Sequence, residues 1–347
     1  MATRFLYKAN SLSEILNLPN ATGIAEFGGR VYVNLNGTVA PISGTNPFGN
    51  VLLVDADNGS DTDTRLPYAT IQAAVTAADA GDTIFVKAKN MASGATDPSN
   101  YAETIIIPAG KSRLSLIGIG GGSAQGSLPQ IKIGAGSTAM LNIKSPGCLI
   151  ANLGFNGGSS TGGGIVLTDD GGTANAAFGT VITGCHFKNC VVTSPDSRTG
   201  GAIYWPAAGG AWQVIIEGNH FYDNVGSISL VGTSGSRPKD VVIANNVFSA
   251  SAATTVDSYI YGAGGSGFND VTVVNNVFTS VLPAIVAGSV VRYLDLTGAA
   301  SGIVANNYFA TAAGTFGASG GAEDSGKVPT TVKLIGNYIE SGLLART

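Results

Sequence analysis

Seven times along the 347 residues, a short apolar run ends in an Asn- or Gly-bearing step and a bulky residue. In order these marks are Ile150-Ala-Asn-Leu-Gly-Phe155, Ile182-Thr-Gly-Cys-His-Phe187, Ile216-Glu-Gly-Asn-His-Phe221, Ile243-Ala-Asn-Asn-Val-Phe248, Val273-Val-Asn-Asn-Val-Phe278, Val304-Ala-Asn-Asn-Tyr-Phe309 and Leu334-Ile-Gly-Asn-Tyr-Ile339. Their last residues lie 32, 34, 27, 30, 31 and 30 positions apart. A nearly fixed period of this size marks stacked repeats, in which each repeat buries its apolar side only against its neighbours. Each mark is therefore read as one coil of a solenoid.

Counting back from the end of each mark, the fifth position is always aliphatic: Ile150, Ile182, Ile216, Ile243, Val273, Val304 and Leu334. The seventh is mostly small or β-branched, whereas the sixth and fourth admit Lys333, Glu217, Thr183 and Thr272. That alternation belongs to a strand with one committed inner face, not to a helix. Asn suits the end of such a strand because it tolerates the left-handed backbone of a sharp corner, and its amide can hydrogen-bond its own kind in the next coil. A stack of these corners predicts an asparagine ladder.

These residues resemble the right-handed parallel β-helix of pectate-lyase-like proteins, an all-β, single-stranded solenoid. The resemblance extends upstream to Pro67-Tyr-Ala-Thr-Ile-Gln-Ala-Ala-Val-Thr-Ala-Ala-Asp-Ala-Gly-Asp-Thr-Ile-Phe-Val86, which is similar to the usual opening of that fold. Ile71, Ala74, Val75 and Ala78 fall at helical spacing there, with Thr70 placed to cap the start and Gly81 the end. A capping helix over about 70–80 is expected, covering the strand edge of the first coil. Tyr101–Pro108 and Leu114–Ile119 read as early rungs. The division expected is an attachment or oligomerisation arm over 1–50 and a β-helix over 51–347, with clear repeats from about 141. The resemblance specifies fold more than function, because this architecture hosts lyases, hydrolases, esterases and inert virion proteins alike.

In the arm, Ser11-Leu-Ser-Glu14 can form a capping box ahead of a short helix that Pro19 stops. Gly29-Arg-Val-Tyr-Val-Asn-Leu35 alternates as a strand, turns at Asn36-Gly37, and returns along Thr38–Ile42. The bland alternative to an attachment role is an N-terminal cap folded onto the first coil.

Fifty glycines fit a fold made of corners. Only 12% of residues are charged, against an ordinary ~25%, which thins the supply of catalytic side chains. A net charge of −4 gives no basic footprint, so nucleic acid is not an expected partner. No apolar stretch reaches the ~18 residues a membrane helix needs, and Met1-Ala-Thr-Arg-Phe-Leu-Tyr-Lys8 lacks the pattern of a signal peptide. No membrane association is expected. Cys148, Cys185 and Cys190 have no framework spacing and read as buried small hydrophobes of a protein made in a reducing cytosol.

Lyases of the resembled fold use acidic calcium ligands with a neighbouring Arg or Lys, and its hydrolases use clustered carboxylates. Asp240 and Asp270 sit eight residues before their marking Phe, which places them one rung apart, about 4.8 Å. They are the catalytic candidates. Turn capping is the favoured reading, because Ser301, Thr331, Gln213 and Gly179 occupy the same slot elsewhere. His186 and His220 share one column, continued by Val247, Val277, Tyr308 and Tyr338, so their proximity follows from stacking. A zinc site with Cys185 and Cys190 is disfavoured because neighbouring strand residues point to opposite faces. Asp55, Asp57, Asp61 and Asp63 are the metal candidates, although Gly59 stands where a calcium loop needs a ligand and a solvated turn is favoured. No cofactor is expected, and Gly118-Ile-Gly-Gly-Gly-Ser123 lacks a phosphate-binding context.

The sixth-back column runs Leu149, Val181, Ile215, Val242, Thr272, Ile303 and Lys333, beside Ala151, Thr183, Glu217, Ala244, Val274, Ala305 and Ile335. An outer face this apolar needs a cover. The expected cover is an intrachain loop or another subunit. Leu149, Val181, Ile215, Val242 and Ile303 are the interface candidates of a homotrimer with β-helices packed side by side. Tyr204, Trp205, Trp212, Tyr259 and Tyr261 are the candidates for stacking on a host-surface glycan, although packing loops onto the helix is the favoured reading of them. The expected function is that of a bacteriophage virion protein, made in the host cytoplasm. A capsid decoration protein or compact tail or spike component, bound to capsid or tail protein through its arm, leads this reading. A polysaccharide lyase or glycoside hydrolase and a non-catalytic adhesin are the alternatives.

Overall fold

In a computed structural model of the chain, the alternating segments form strands of two to five residues that coil through three parallel sheets. The described residues are 7–8, 24–27, 30–35, 38–41 and 49–343, apart from 64, 94, 96–97, 121–126, 135–138, 159–162, 169–176, 192–200, 207–210, 231–237, 252–254, 257, 263–267, 280–283, 286–291, 311–315, 318–325 and 340–341. The chain is a parallel β-helix. Each coil visits sheet 3, then sheet 1, then sheet 2, as in Ala139–Ile143, Leu149–Ala151 and Gly154–Asn156.

Sheet 1 has ten rungs: Val51–Val54, Thr83–Lys87, Ser115–Ile119, Leu149–Ala151, Val181–Thr183, Ile215–Glu217, Val242–Ala244, Val271–Val274, Gly302–Ala305 and Val332–Ile335. They pair in strict register, so Leu149, Val181, Ile215, Val242, Thr272, Ile303 and Lys333 are successive partners. Between the outer columns, Leu52, Ile84, Leu116, Ile150, Ile182, Ile216, Ile243, Val273 and Val304 point inward and are buried. From the rung Leu149–Ala151 onward, sheet 2 follows after a turn of only two residues. Its inner column stacks Phe155, Phe187, Phe221, Phe248, Phe278 and Phe309 with near-parallel rings 4.7–4.9 Å apart.

The two turn residues have separate tasks. The first is in the left-handed region, at Asn152, Asn245, Asn275 and Asn306, or at Gly184, Gly218 and Gly336. The second is buried and, where it is Asn, its side chain hydrogen-bonds between coils. Asn246 Oδ1 accepts from the backbone N–H and Nδ2 of Asn219 at 2.9 and 3.1 Å, while Asn246 Nδ2 donates to Ile216 O and Asn276 Oδ1. Asn276, Asn307 and Asn337 repeat the arrangement. A left-handed corner needs a residue that tolerates positive φ, whereas a buried amide satisfies backbone groups left over by the turn.

Helix α1 spans Ile71–Ala77 and packs Ile71, Ala74 and Val75 into the core near the first coil. Thr70 caps it through its side chain, and the Glu103 carboxylate accepts from the N–H groups of Ile71 and Gln72. Ahead of the solenoid, Tyr7–Lys8, Ile24–Phe27, Arg30–Leu35 and Thr38–Pro41 form a four-stranded sheet in chain order. The last two are antiparallel, with Leu35 opposite Thr38 as their alternation predicts. The Asn36-Gly37 turn and the Ser11–Pro19 segment lie outside the described residues.

Candidate functional site

The largest continuous feature is the outer face of sheet 1. One column runs Val51, Thr83, Ser115, Leu149, Val181, Ile215, Val242, Thr272, Ile303 and Lys333. The second runs Leu53, Phe85, Ile117, Ala151, Thr183, Glu217, Ala244, Val274, Ala305 and Ile335 through the same registers. Residues in the middle rungs are buried or half-buried, as in-register neighbours above and below shield them. Where a neighbour is missing, the face is open: Val51 is 55% exposed, Leu53 39% and Ile335 55%. The candidates Leu149, Val181, Ile215, Val242 and Ile303 thus stand in one outward column.

Three residues before that column, the chain turns a second corner. The backbone N–H of Gly147 donates to Phe178 O, that of Gly179 to Trp212 O, that of Gln213 to Lys239 O and that of Asp240 to Asn269 O. Ser112, Pro146, Phe178, Trp212, Lys239 and Asn269 therefore form a ridge along one side of the face. Phe178 and Trp212 are about two-fifths exposed on adjacent rungs. Phe178 was missed by aromatic patterning alone. The signal was its fixed offset from the apolar column.

Asp240 and Asp270 occupy the next corner slot, with φ of 52° and 57°. Asp270 Oδ1 accepts from Ser301 Oγ at 2.8 Å, and Ser301 Oγ in turn accepts from the Asp270 N–H at 3.0 Å. This is the geometry of a corner cap. The four metal candidates are engaged separately. Burial works to raise the Asp55 pKa, but Lys87 Nζ at 2.7 Å and the Asn58 amide overcome it and leave the carboxyl below its usual range. Asp57 accepts from the Asn90 N–H, and Asp61 from the Ala69 and Thr70 N–H groups and Thr70 Oγ1. The Arg65 guanidinium, hydrogen-bonded to Asp63, lowers that carboxyl to about 2. Among the described residues, no three His, Cys, Asp or Glu side chains converge as metal ligands.

Two of the aromatic candidates are corrected by their burial. Trp205 is fully buried and donates from Nε1 to Ala211 O, and Tyr259 packs among Phe248, Phe278 and Tyr293. Neither can stack on a glycan. Sequence spacing did not reveal this burial in sheet 3, where consecutive residues such as Tyr259 and Ile260 are both buried. Tyr204 and Tyr261 are half-buried in one outer column of sheet 3, and Trp212 stands on the exposed ridge.

Burial pushes the thiols of Cys148, Cys185 and Cys190 up to about 12, so they are poor nucleophiles and ligands at neutral pH. His186 and His220 lie in adjacent rungs with ring centroids 5.3 Å apart and planes tilted by 59°, and His220 Nε2 lies 3.1 Å from Ser249 Oγ. Burial lowers the His220 pKa below its ordinary value. The unfolded chain then binds a proton near pH 6.5 that the folded chain refuses, so His220 subtracts stability as pH falls through that point. His220→Val, which copies Val247 in the next rung, is expected to reduce the loss of stability between pH 7 and 5. Denaturant melts at the two pH values check this, and an unchanged pH dependence would reject it.

No family model matches the chain, and no curated protein matches it. The chain is similar to several solved structures. A protein described as Geobacillus virus E2 ORF18 is 12% identical, over 97% of this chain and 75% of that one, with a TM-score of 0.47. A rhamnogalacturonan lyase is 13% identical over 85% and 75%, with a TM-score of 0.45. Rice weevil pectin methyl esterase is 13% identical over 82% and 90%, with a TM-score of 0.41. No helix among the described residues is long and apolar enough to cross a membrane.

Proposed function

We propose that this chain is a structural protein of a bacteriophage virion, a capsid decoration protein or compact tail or spike component. It acts by binding and stabilisation rather than turnover. The observation that carries this reading is the outer face of sheet 1, where two straight columns of mostly aliphatic residues run the length of ten rungs. A continuous apolar face is built for association with another surface, since a solvated sheet face alternates to polar residues. The small sheet that precedes the solenoid supplies a separate element for attachment to capsid or tail protein. The resemblance of the repeats to β-helical virion proteins supports the same class.

The chain is expected in stoichiometric amount in purified particles of its source phage, and particles stripped of it are expected to lose tolerance to heat or osmotic shock. Re-addition of the full chain restores the tolerance. Incubation with host polysaccharides is expected to yield neither new reducing ends nor unsaturated products. Turnover abolished by Asp240→Asn or Asp270→Asn would replace this reading with a depolymerase.

A further inference from the structure

We infer that the outer face of sheet 1 is a two-fold interface between two copies of this chain packed antiparallel, centred between the rungs Val181–Thr183 and Ile215–Glu217. The inference rests on the reading of the face as an association surface and names its partner. The face is large enough. Ten strands at ~4.8 Å spacing run about 43 Å, and the five steps from a corner-ridge residue to the last residue before the asparagine turn span about 16 Å at ~3.3 Å each. The product, roughly 700 Å² per copy, falls within the range of a standard stable interface.

The registers select the orientation. A two-fold axis lying across the rungs pairs the fifth rung of one copy with the sixth of the other, the fourth with the seventh and the third with the eighth. Val181 then meets Ile215, Leu149 meets Val242, and Ser115 meets Thr272. In the second column Thr183 meets Glu217, Ala151 meets Ala244, and Phe85 meets Ala305. The one carboxylate of the central face thus lies opposite a hydroxyl that can donate to it, and the largest side chain lies opposite a small one.

The flanking ridge obeys the same operator. Phe178 leads into the fifth rung and Trp212 into the sixth, so the axis sets each copy's exposed Trp212 against the other's exposed Phe178. Arg113 and Asp270, both exposed at left-handed corners, lead into the third and eighth rungs and become partners of opposite charge. Isologous pairing repeats every contact twice, which concentrates two aromatic pairs at the centre of the interface, where binding energy is usually concentrated.

Cyclic packing about an axis along the solenoid, the homotrimer expected from sequence included, keeps equal rungs at equal height. Three Glu217 carboxylates would then share one level, and so would three Lys333 ammonium groups. A parallel dimer sets each Glu217 against Ile215. Both leave a carboxylate in an apolar interface without a partner, a penalty that the antiparallel pairing avoids.

Sedimentation of the full chain at micromolar concentration is expected to give a dimer. Trp212→Ala, an exposed substitution, removes two central contacts per dimer and is expected to weaken it about 100-fold, or ~10-fold per contact. Arg113→Asp and Asp270→Arg should each weaken the dimer, and the double variant should restore it. An equimolar mixture of Phe178→Cys and Trp212→Cys chains should oxidise to a disulfide joining one chain of each type, since the native thiols are buried. A monomer, a trimer, a double variant no better than its parents, or cross-links within one chain type only would each overturn the inference. A dimer that does not associate with phage particles would leave this interface standing and remove the virion reading. A monomer that does associate would do the reverse.

Discussion

Asn246→Ala is expected to destabilise the chain by about 4 kcal/mol, while Asn245→Gly, one residue away, changes stability by less than about 1 kcal/mol. The Asn246 side chain makes four hydrogen bonds, all buried, to Asn219, Ile216 and Asn276. Each is worth about 1 kcal/mol net, and truncation also leaves buried donors and acceptors unmet at about 1–3 kcal/mol apiece. The methyl group cannot reach any of them. Asn245, by contrast, is exposed and has a φ of 57°. Glycine adopts that conformation without the side-chain clash and already fills the slot as Gly184, Gly218 and Gly336. Guanidinium unfolding of the two variants, followed by circular dichroism, checks the contrast. Equal losses would mean that the two asparagines do not divide the labour of the turn as their geometry implies.

Much of sheets 1 and 2 was legible because the seven marks act as coordinates. Equivalent residues counted back from each Phe are partners in the observed registers, as Ile150, Ile182, Ile216, Ile243, Val273 and Val304 show. The constraint is physical: a two-residue turn between the sheets leaves no slack, so the count cannot drift. Sheet 3 was not legible. The segments before and after it vary in length, and strands such as Ile203–Tyr204 and Ser258–Tyr261 carry no mark that fixes which side chain points inward. The sequence therefore offers Trp205 and Tyr259 both as exposed stacking platforms and as packing residues, and their burial decides for packing. The turn asparagines were seen as one feature because a mark such as Asn245-Asn246 does not say which residue bends and which bonds. The apolar columns were visible as letters, but the ridge of Phe178 and Trp212 beside them required the corner hydrogen bonds to set its register.

The same rigidity of register underlies the other large effect, at the centre of the phenylalanine stack. Phe248→Ala is expected to cost about 5 kcal/mol, the upper end of the usual range for a buried Phe. Phe248 is fully buried, with the rings of Phe221 and Phe278 each 4.8 Å away and Tyr259 at 5.8 Å. In a globular core, neighbours relax into part of such a cavity. Here Phe221 and Phe278 are held at their heights by backbone pairing of adjacent coils, so the gap cannot close without breaking the ladder. Phe248→Leu keeps most of the volume and is expected to cost under about 2 kcal/mol. Because repeats contact only their neighbours, the alanine variant is also expected to uncouple the two halves of the solenoid. Hydrogen exchange should show strands on either side of Val247–Ser249 losing protection at different denaturant concentrations. A single shared transition with a loss below about 2 kcal/mol would show that the stack can close around the gap, and that backbone register does not hold the rings apart.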